Sequence, residues 1–344
     1  MKQITHFLTT LLLLALLVAC MPAPVETGQQ AAEPAADTAA SAAKATTATQ
    51  IDPAVFNVEP SVSVVAEDSE TRTVRHPLGE TTLPAAPERS VVFDENLADS
   101  LLALGIAPVG SVTYYGLEGF SKHIAPMMDE VANIGQSGSP NLEQVVLLQP
   151  DLILSSTSRA EEIYEQLSEI APTVTVNDQF SYPLLRSIAR TMGVEEEGEA
   201  RIATYEAKAT AAREALADAT AGKSVALLRV FGAELRVEGG IGYTGPVLWE
   251  ALGLTPHSAV KLDTWNTTIS LEQIPELTAD ILFLMPEIDG AELAQNLQEN
   301  PLWQGLPAVQ NGEVYLLEDY SHWLTFGILA NEKAIDDVLN QLTP

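Results

Sequence analysis

A chain of 344 residues exceeds the usual size of one domain, so two packed domains, or one domain with a long tail, are expected. Its 47 acidic residues outnumber 17 Lys and Arg, for a formal charge of -30, which weighs against nucleic acid or an anionic membrane patch as a partner and makes each arginine worth tracking. Cys20 is the only cysteine, so no internal disulfide can form and stability has to come from packed cores.

The chain opens with Lys2 and an apolar run from Leu11 to Val18, closing as Leu17-Val18-Ala19-Cys20. This is a secretion signal, residues 1–20, too short to span a bilayer as a mature helix. Its end has the form of a bacterial lipoprotein signal, with Cys20 as the acylated residue; ordinary cleavage near Ala19 is the other reading. Residues 21–70 are mostly Ala, Thr, Glu and Pro, as in AAEPAADTAASAAKATTATQ, and such a segment buries no core. A disordered tether is expected there, with order beginning near Arg72.

From 71 to 192 the text alternates strand and helix. RTVRHPLGETTLP reads as a hairpin turning at Leu78-Gly79, and SVVF as a strand. ENLADSLLALG is a helix stopped by Gly105, and PVGSV a second strand. NLEQVVLLQP is a helix capped by Asn141 and stopped by Pro150, followed by the strand DLIL, the helix RAEEIYEQLSEIA and the strand TVTV. Residues 193–220 form one long helix whose apolar face holds Ile202, Tyr205, Ala209, Ala212 and Leu216. From 221 to 344 the alternation restarts with SVALLRV, ELRVE, PVLWEALG, SLEQIPEL, DILFLM and EVYLL, and ends in the amphipathic helix FGILANEKAIDDVLNQL. The expected fold is α/β: two lobes, each a parallel sheet covered by helices, joined by a rigid helical spine.

Residues 141–154, NLEQVVLLQPDLIL, align with residues 270–283, SLEQIPELTADILF, pairing Leu142 with Leu271, Glu143 with Glu272, Gln144 with Gln273, Leu148 with Leu277 and Asp151 with Asp280. One copy in each lobe implies similar halves facing across a cleft, the usual place for a small ligand. Both glutamates fall in a first helical turn, where a carboxylate favours the helix N-terminus; repeated symmetrically, they also suit a grip on two equivalent basic sites of a partner.

The ordered pieces RTVRHPLGETTLPAAPERSVVF, DSLLALGIAPVG, NLEQVVLLQPDLIL, YEQLSEIAPTV, SLEQIPELTADILFL and NPLWQGLPAVQNGEVYLLE resemble the ferric-siderophore and vitamin B12 class of substrate-binding proteins of ABC importers, over about residues 72–344. The resemblance implies Rossmann-like lobes joined by a long helix, modest closure on binding, and delivery of a chelate to a permease dimer. It assigns docking onto permease arginines to Glu143 and Glu272. YEQLSEIAPTV and NPLWQGLPAVQ are closer to the iron-siderophore branch than to the cobalamin or zinc branches. The mature histidines His76, His123, His257 and His322 stand singly, so no direct metal site is expected and the iron arrives wrapped in its chelator, with no covalent cofactor.

An iron chelate offers oxygens and aromatic or amide faces, so arginines and aromatics at strand ends are the candidates. Arg229 ends SVALLR, Arg236 lies in ELRVE and Arg159 follows DLILSSTS; surface ion pairing is their alternative role. Tyr115 follows PVGSV beside Tyr114, Tyr243 sits in the loop GGIGYTG, and Trp265 lies in the loop LDTWNTT. His322 and Trp323 follow the last strand, where the class often closes its pocket, with packing the other reading for Trp323; Trp249 and Trp303 read as core. The acidic background leans toward a low-charge, hydroxamate-type complex, leaving ferric citrate, haem and cobalamin open. A chelatase-like enzyme is the rival class, although no GxSxG, HExxH or P-loop pattern is present. The expected particle is a monomer.

Overall fold

The computed structural model describes Phe56, residues 58–114, Leu117 and residues 119–343, all within one compact unit. The expected lipidation at Cys20, the expected signal 1–20 and Tyr115 lie outside the described residues.

The folded part begins earlier than the composition suggested. Strand β1 (Ser63–Glu67) pairs antiparallel with β2 (Thr71–His76), which pairs with β3 (Gly79–Pro84). Ahead of β1, Val62 is fully buried, the Ser61 amide and hydroxyl donate to the Asp178 carboxylate at 2.9 and 2.8 Å, and Phe56 packs edge-on against Phe180 at 5.1 Å. The boundary at 70 is therefore corrected: SVSVV carries the strand period, and Val62 and Phe56 are anchors that a compositional reading averages away.

The first six-stranded sheet has the order β7-β6-β5-β4-β8-β9. Its strands are β4 (Ser90–Val92), β5 (Gly110–Thr113), β6 (Ala132–Gln136), β7 (Ser139–Pro140), β8 (Leu152–Ser156) and β9 (Thr173–Val176), parallel apart from the short β7. The chain runs from β4 outward to β6, then returns to β8 on the other side of β4. The topological switch point, where open sheets take their ligands, thus lies between β4 and β8.

The second sheet repeats this with one departure from a purely parallel pattern. β10 (Ser224–Phe231), β14 (Ile281–Pro286) and β15 (Val314–Leu316) are parallel, as is the short β12 (Thr255–Pro256) on β10. β11 (Glu234–Glu238) runs antiparallel to both β10 and β13 (Asn266–Ile269), making a mixed sheet of order β13-β11-β10-β14-β15. The reason is local: Gly232-Ala233 is too short for a crossover, and Gly232 at φ 54 takes the left-handed turn a hairpin needs. The switch point here lies between β10 and β14.

Between the sheets runs a 26-residue helix, Glu195–Thr220, whose buried residues Ile202, Tyr205, Ala209, Ala212 and Leu216 are those its periodicity selects. It lies against the helix Ser181–Met192 of the first lobe and against the C-terminal helix Ile328–Leu342. Arg186–Glu199, Arg201–Glu332 and Lys208–Asp336 ion pairs at 2.6 to 2.8 Å tie these three helices together. Helix α1 (Glu95–Ala103) adds a further tie, because Asp99 accepts from the Leu329 and Ala330 amides at the start of the C-terminal helix. No described helix is long and apolar enough to cross a membrane.

Candidate functional site

Each switch point carries an arginine–carboxylate pair, with the two charges exchanged between the lobes. In the first lobe Asp94 follows β4 and caps α1 through the Asn96 amide, while Arg159 follows β8; Arg159 Nε lies 3.1 Å from Asp94 Oδ2 and its Nη1 donates to the Ser137 carbonyl. In the second lobe the basic group is on the first strand instead. Arg229 near the end of β10 places Nε 2.5 Å from Oε1 of Glu287, which follows β14. Glu238 on β11 adds a second carboxylate 3.8 Å from Arg229 Nη1.

Burial works against the Arg229 charge, but Glu238 and Glu287 outweigh it and raise its pKa above the ordinary guanidinium value. Glu287 is 6% exposed, and burial raises its pKa although Arg229 opposes the shift. Tyr114, at the end of β5, is electrostatically coupled to both pairs: burial and Glu287 push its phenol up to about 12, with Arg229 and Arg159 pulling the other way. Tyr114 thus feels charges from both pairs. Beside it, the buried Glu95 accepts from the Ser121 hydroxyl at 2.5 Å.

Arg236 faces Arg229 across the β10–β11 ladder and stacks its guanidinium 4.6 Å from the Phe231 ring centroid while pairing with Glu234. Tyr243 and Trp265 sit together, ring centroids 5.3 Å apart, and both meet Phe326, at 4.6 and 5.7 Å. The glycines of GGIGYTG make this possible. A Cβ on Gly239 or Gly240 would fall 2.1 to 2.2 Å from the Thr264 or Leu262 carbonyl, so the two loops can lie backbone to backbone only without side chains there. Gly239 and Gly240 donate to the Trp265 and Lys261 carbonyls, which makes the loop a platform for aromatics.

His322 and Trp323 are both buried. His322 Nε2 lies 2.6 Å from Asp337, Trp323 Nε1 donates to the same carboxylate at 3.3 Å, and both residues are at most 2% exposed. Asp337 on the C-terminal helix engages both polar edges, which fits the packing role that was the other reading for Trp323. Trp249 and Trp303 are buried as expected of core. Sequence reading did not select Asp94, Glu238, Glu287, Phe231 or Phe326. Among these, Glu287 carried a legible signal, as an acid immediately after an apolar parallel strand.

Glu143 and Glu272 are both exposed, on the short helix α2 (Leu142–Leu147) and on the 3-10 turn Leu271–Glu276. Asn141 caps the former through the Gln144 amide, and Ser270 with Gln273 forms a capping box on the latter. The Glu272 backbone amide and the Ser270 hydroxyl hold the Glu272 carboxyl below the usual range.

A family model described as "Periplasmic binding protein" matches residues 91–320. The chain is 31% identical over 294 residues, 81% of its length and 90% of the other's, to the probable siderophore-binding lipoprotein YfiY of Bacillus subtilis. It is 30% identical over 283 residues, 80% of its length and 88% of the other's, to the Fe(3+)-citrate-binding protein YfmC of the same organism. Among solved structures, Staphylococcus aureus SirA complexed with staphyloferrin B superimposes with a TM-score of 0.68 at 27% identity, covering 78% of this chain and 98% of that one.

Proposed function

The chain belongs to the periplasmic binding protein family, and from that premise we propose that it is an exported receptor that captures a ferric chelate between its lobes and hands it to an ABC importer. The observation that carries this reading is the pair of arginine–carboxylate couples, Asp94–Arg159 and Arg229–Glu287, at the two switch points, both coupled to Tyr114. Two sheets that aim their ligand-binding ends at one neighbourhood suit a small, compact, oxygen-rich ligand. The relatives YfiY and YfmC, named for siderophore and ferric citrate binding, support the same class.

The chelate is of hydroxamate type, with low net charge. Every candidate arginine already faces a carboxylate: Arg159 has Asp94, Arg229 has Glu287 and Glu238, and Arg236 has Glu234. A polyanionic citrate-type complex would have to displace these carboxylates or sit beside them. A neutral complex can use the guanidinium donors and the Tyr243, Trp265 and Phe326 rings without doing so. Binding and delivery require no catalytic step. Cys20 carries the lipid anchor, at the outer face of the cell membrane or in the periplasm, and the chain works as a monomer that docks on a permease through Glu143 and Glu272.

Tryptophan fluorescence of residues 58–344 titrated with ferric hydroxamates, ferric catecholates, ferric citrate, haem and cobalamin tests the reading. Trp265 alone among the four tryptophans is not buried, so a ferric hydroxamate should quench the wild type and quench Trp265→Phe much less. Tighter binding of ferric citrate would move the ligand class. Silence across the panel would remove the receptor reading.

A further inference from the structure

Ser61 and Val62 clamp the entering chain onto the first lobe. The Ser61 amide and hydroxyl donate to Asp178, the Val62 amide donates to the Ser187 hydroxyl at 3.2 Å, and Arg190 Nη1 donates to the Val62 carbonyl at 3.0 Å. Asp178 and Phe180 lie in the loop that follows β9, at the end of the first sheet where open α/β sheets take their ligands. Phe56 stands ahead of this clamp in the chain, yet it is only 5% exposed. The bonds at Ser61 and Val62 hold the entering chain without it.

Phe56 lines one small cavity with Phe180, Ser181 and Tyr182 of the first lobe, Tyr205 of the long helix, and Pro246 and Glu250 of the second lobe. From it a run of rings reaches the aromatic platform. Phe56 meets Phe180 edge-on at 5.1 Å, Phe180 meets Phe326 edge-on at 6.3 Å, and Phe326 meets Tyr243 and Trp265 at 4.6 and 5.7 Å, all within the range in which aromatic pairs attract. A second route runs through the other wall of the cavity. The π-helical turn Pro246–Ala251 starts directly after the Tyr243 loop, and its Trp249 donates to the Gly239 carbonyl of that loop at 3.2 Å.

We propose that Phe56 is a positioning residue for the chelate: packed against Phe180, it holds Phe326 to Tyr243 and Trp265 and so sets the wall that the ligand meets. This rests on the reading of those rings as the chelate wall. The Phe326 backbone is fixed independently, because its amide donates to the Asn96 side chain at 2.7 Å. Its ring therefore turns only about its own side-chain bonds, and packing against Phe180, Tyr243 and Trp265 limits that turning. Removing the Phe56 ring opens a cavity beside Phe180 into which neighbouring side chains relax. Phe180 withdraws into it, Phe326 follows, and Tyr243 and Trp265 lose their backing.

The test compares Phe56→Ala with Val62→Ala in the full chain, its tryptophans fluorine-labelled and the Trp265 NMR resonance assigned by Trp265→Phe. Both substitutions empty a buried site near the chain entry, but only Phe56 contributes a ring to the run. Phe56→Ala should shift the ligand-free Trp265 resonance and weaken a ferric hydroxamate about two- to tenfold, the worth of one aromatic contact. Val62→Ala should lower Tm and do neither. Where alanine at position 56 unfolds the chain, Phe56→Leu, which refills much of the cavity without a ring, should shift the Trp265 resonance in its place. A Trp265 resonance that stays put when Phe56 is replaced, or equal shifts and affinity losses in the Phe56 and Val62 variants, would overturn the inference and leave Phe56 a fold anchor. If the wild type binds no ferric chelate, the receptor reading falls, and the ligand-free Trp265 resonance separately decides whether Phe56 sets the wall.

Discussion

Arg229 and Arg236 stand directly opposite each other in the β10–β11 ladder, and the Phe231 ring lies 5.3 and 4.6 Å from their guanidinium carbons. Like charges in that position repel. They are held because Glu287 and Glu238 surround the buried Arg229, while Glu234 pairs with Arg236 closer to solvent.

The arginines should therefore separate by role. Arg229→Ala leaves Glu287 and Glu238 buried without their cation and is expected to cost about 3–5 kcal/mol, seen as a drop in Tm. Arg236→Ala breaks a pair whose acid is 49% exposed and should cost at most about 1 kcal/mol, with its main effect on chelate affinity. Equal losses of stability in the two variants would show that the buried carboxylates do not depend on Arg229.

A second prediction concerns acid. Burial pulls the His76 imidazole down to about 4, and its neighbours are hydroxyls and an amide: Thr175 at Nδ1, Thr81 at Nε2, Tyr164 nearby. The Thr175 amide points at Nδ1, so a second proton there meets another donor. The unfolded chain takes that proton near pH 6.5 and the folded chain only near 4. The contribution is thus complete above pH 6.5 and fades as the pH falls toward 4, up to about 3 kcal/mol. In urea unfolding at stepped pH, His76→Gln should flatten this slope; an unchanged slope would assign it to other groups.

Periodicity made the long helix and its buried face legible, and the repeat placed Glu143, Glu272, Asp151 and Asp280 at equivalent positions. The site was only half legible, for a physical reason. Arg159, Arg229 and Arg236 stood out because cations are scarce, whereas their partners Asp94, Glu287 and Glu238 were hidden among 47 acids. Which way His322 and Trp323 face depends on Asp337, on a different element, and no local pattern records it.

For docking, Glu143→Ala with Glu272→Ala should abolish chelate uptake by cells and leave the affinity of the purified protein unchanged, since both side chains are exposed and remote in sequence from the switch-point pairs. Each single variant should retain partial uptake. Normal uptake by the double variant would end the assignment of these two residues.

Asp99 is the buried tie between the lobes. Its carboxylate is fully buried, accepts from the Leu329 and Ala330 amides at 3.0 and 2.9 Å, and lies 3.0 Å from His123 Nε2. Gly327 leaves room for it, since a Cβ there would fall 2.0 to 2.3 Å from the carboxyl group. A helix of the first lobe thereby caps the helix that closes the second. Asp99→Ala removes that cap and strands two amides and a buried imidazole, at an expected cost of about 2–4 kcal/mol. Asp99→Asn keeps one acceptor and should lose about half as much. Gly327→Ala should also destabilise, because the packed carboxylate has nowhere to retreat. Hydrogen exchange distinguishes this from a general loss of stability: the Leu329 and Ala330 amides should exchange faster in Asp99→Ala at temperatures where the β10 and β14 amides remain protected. Unchanged protection at those two amides would mean that the helix start is held by its own packing and that Asp99 is not what joins the lobes.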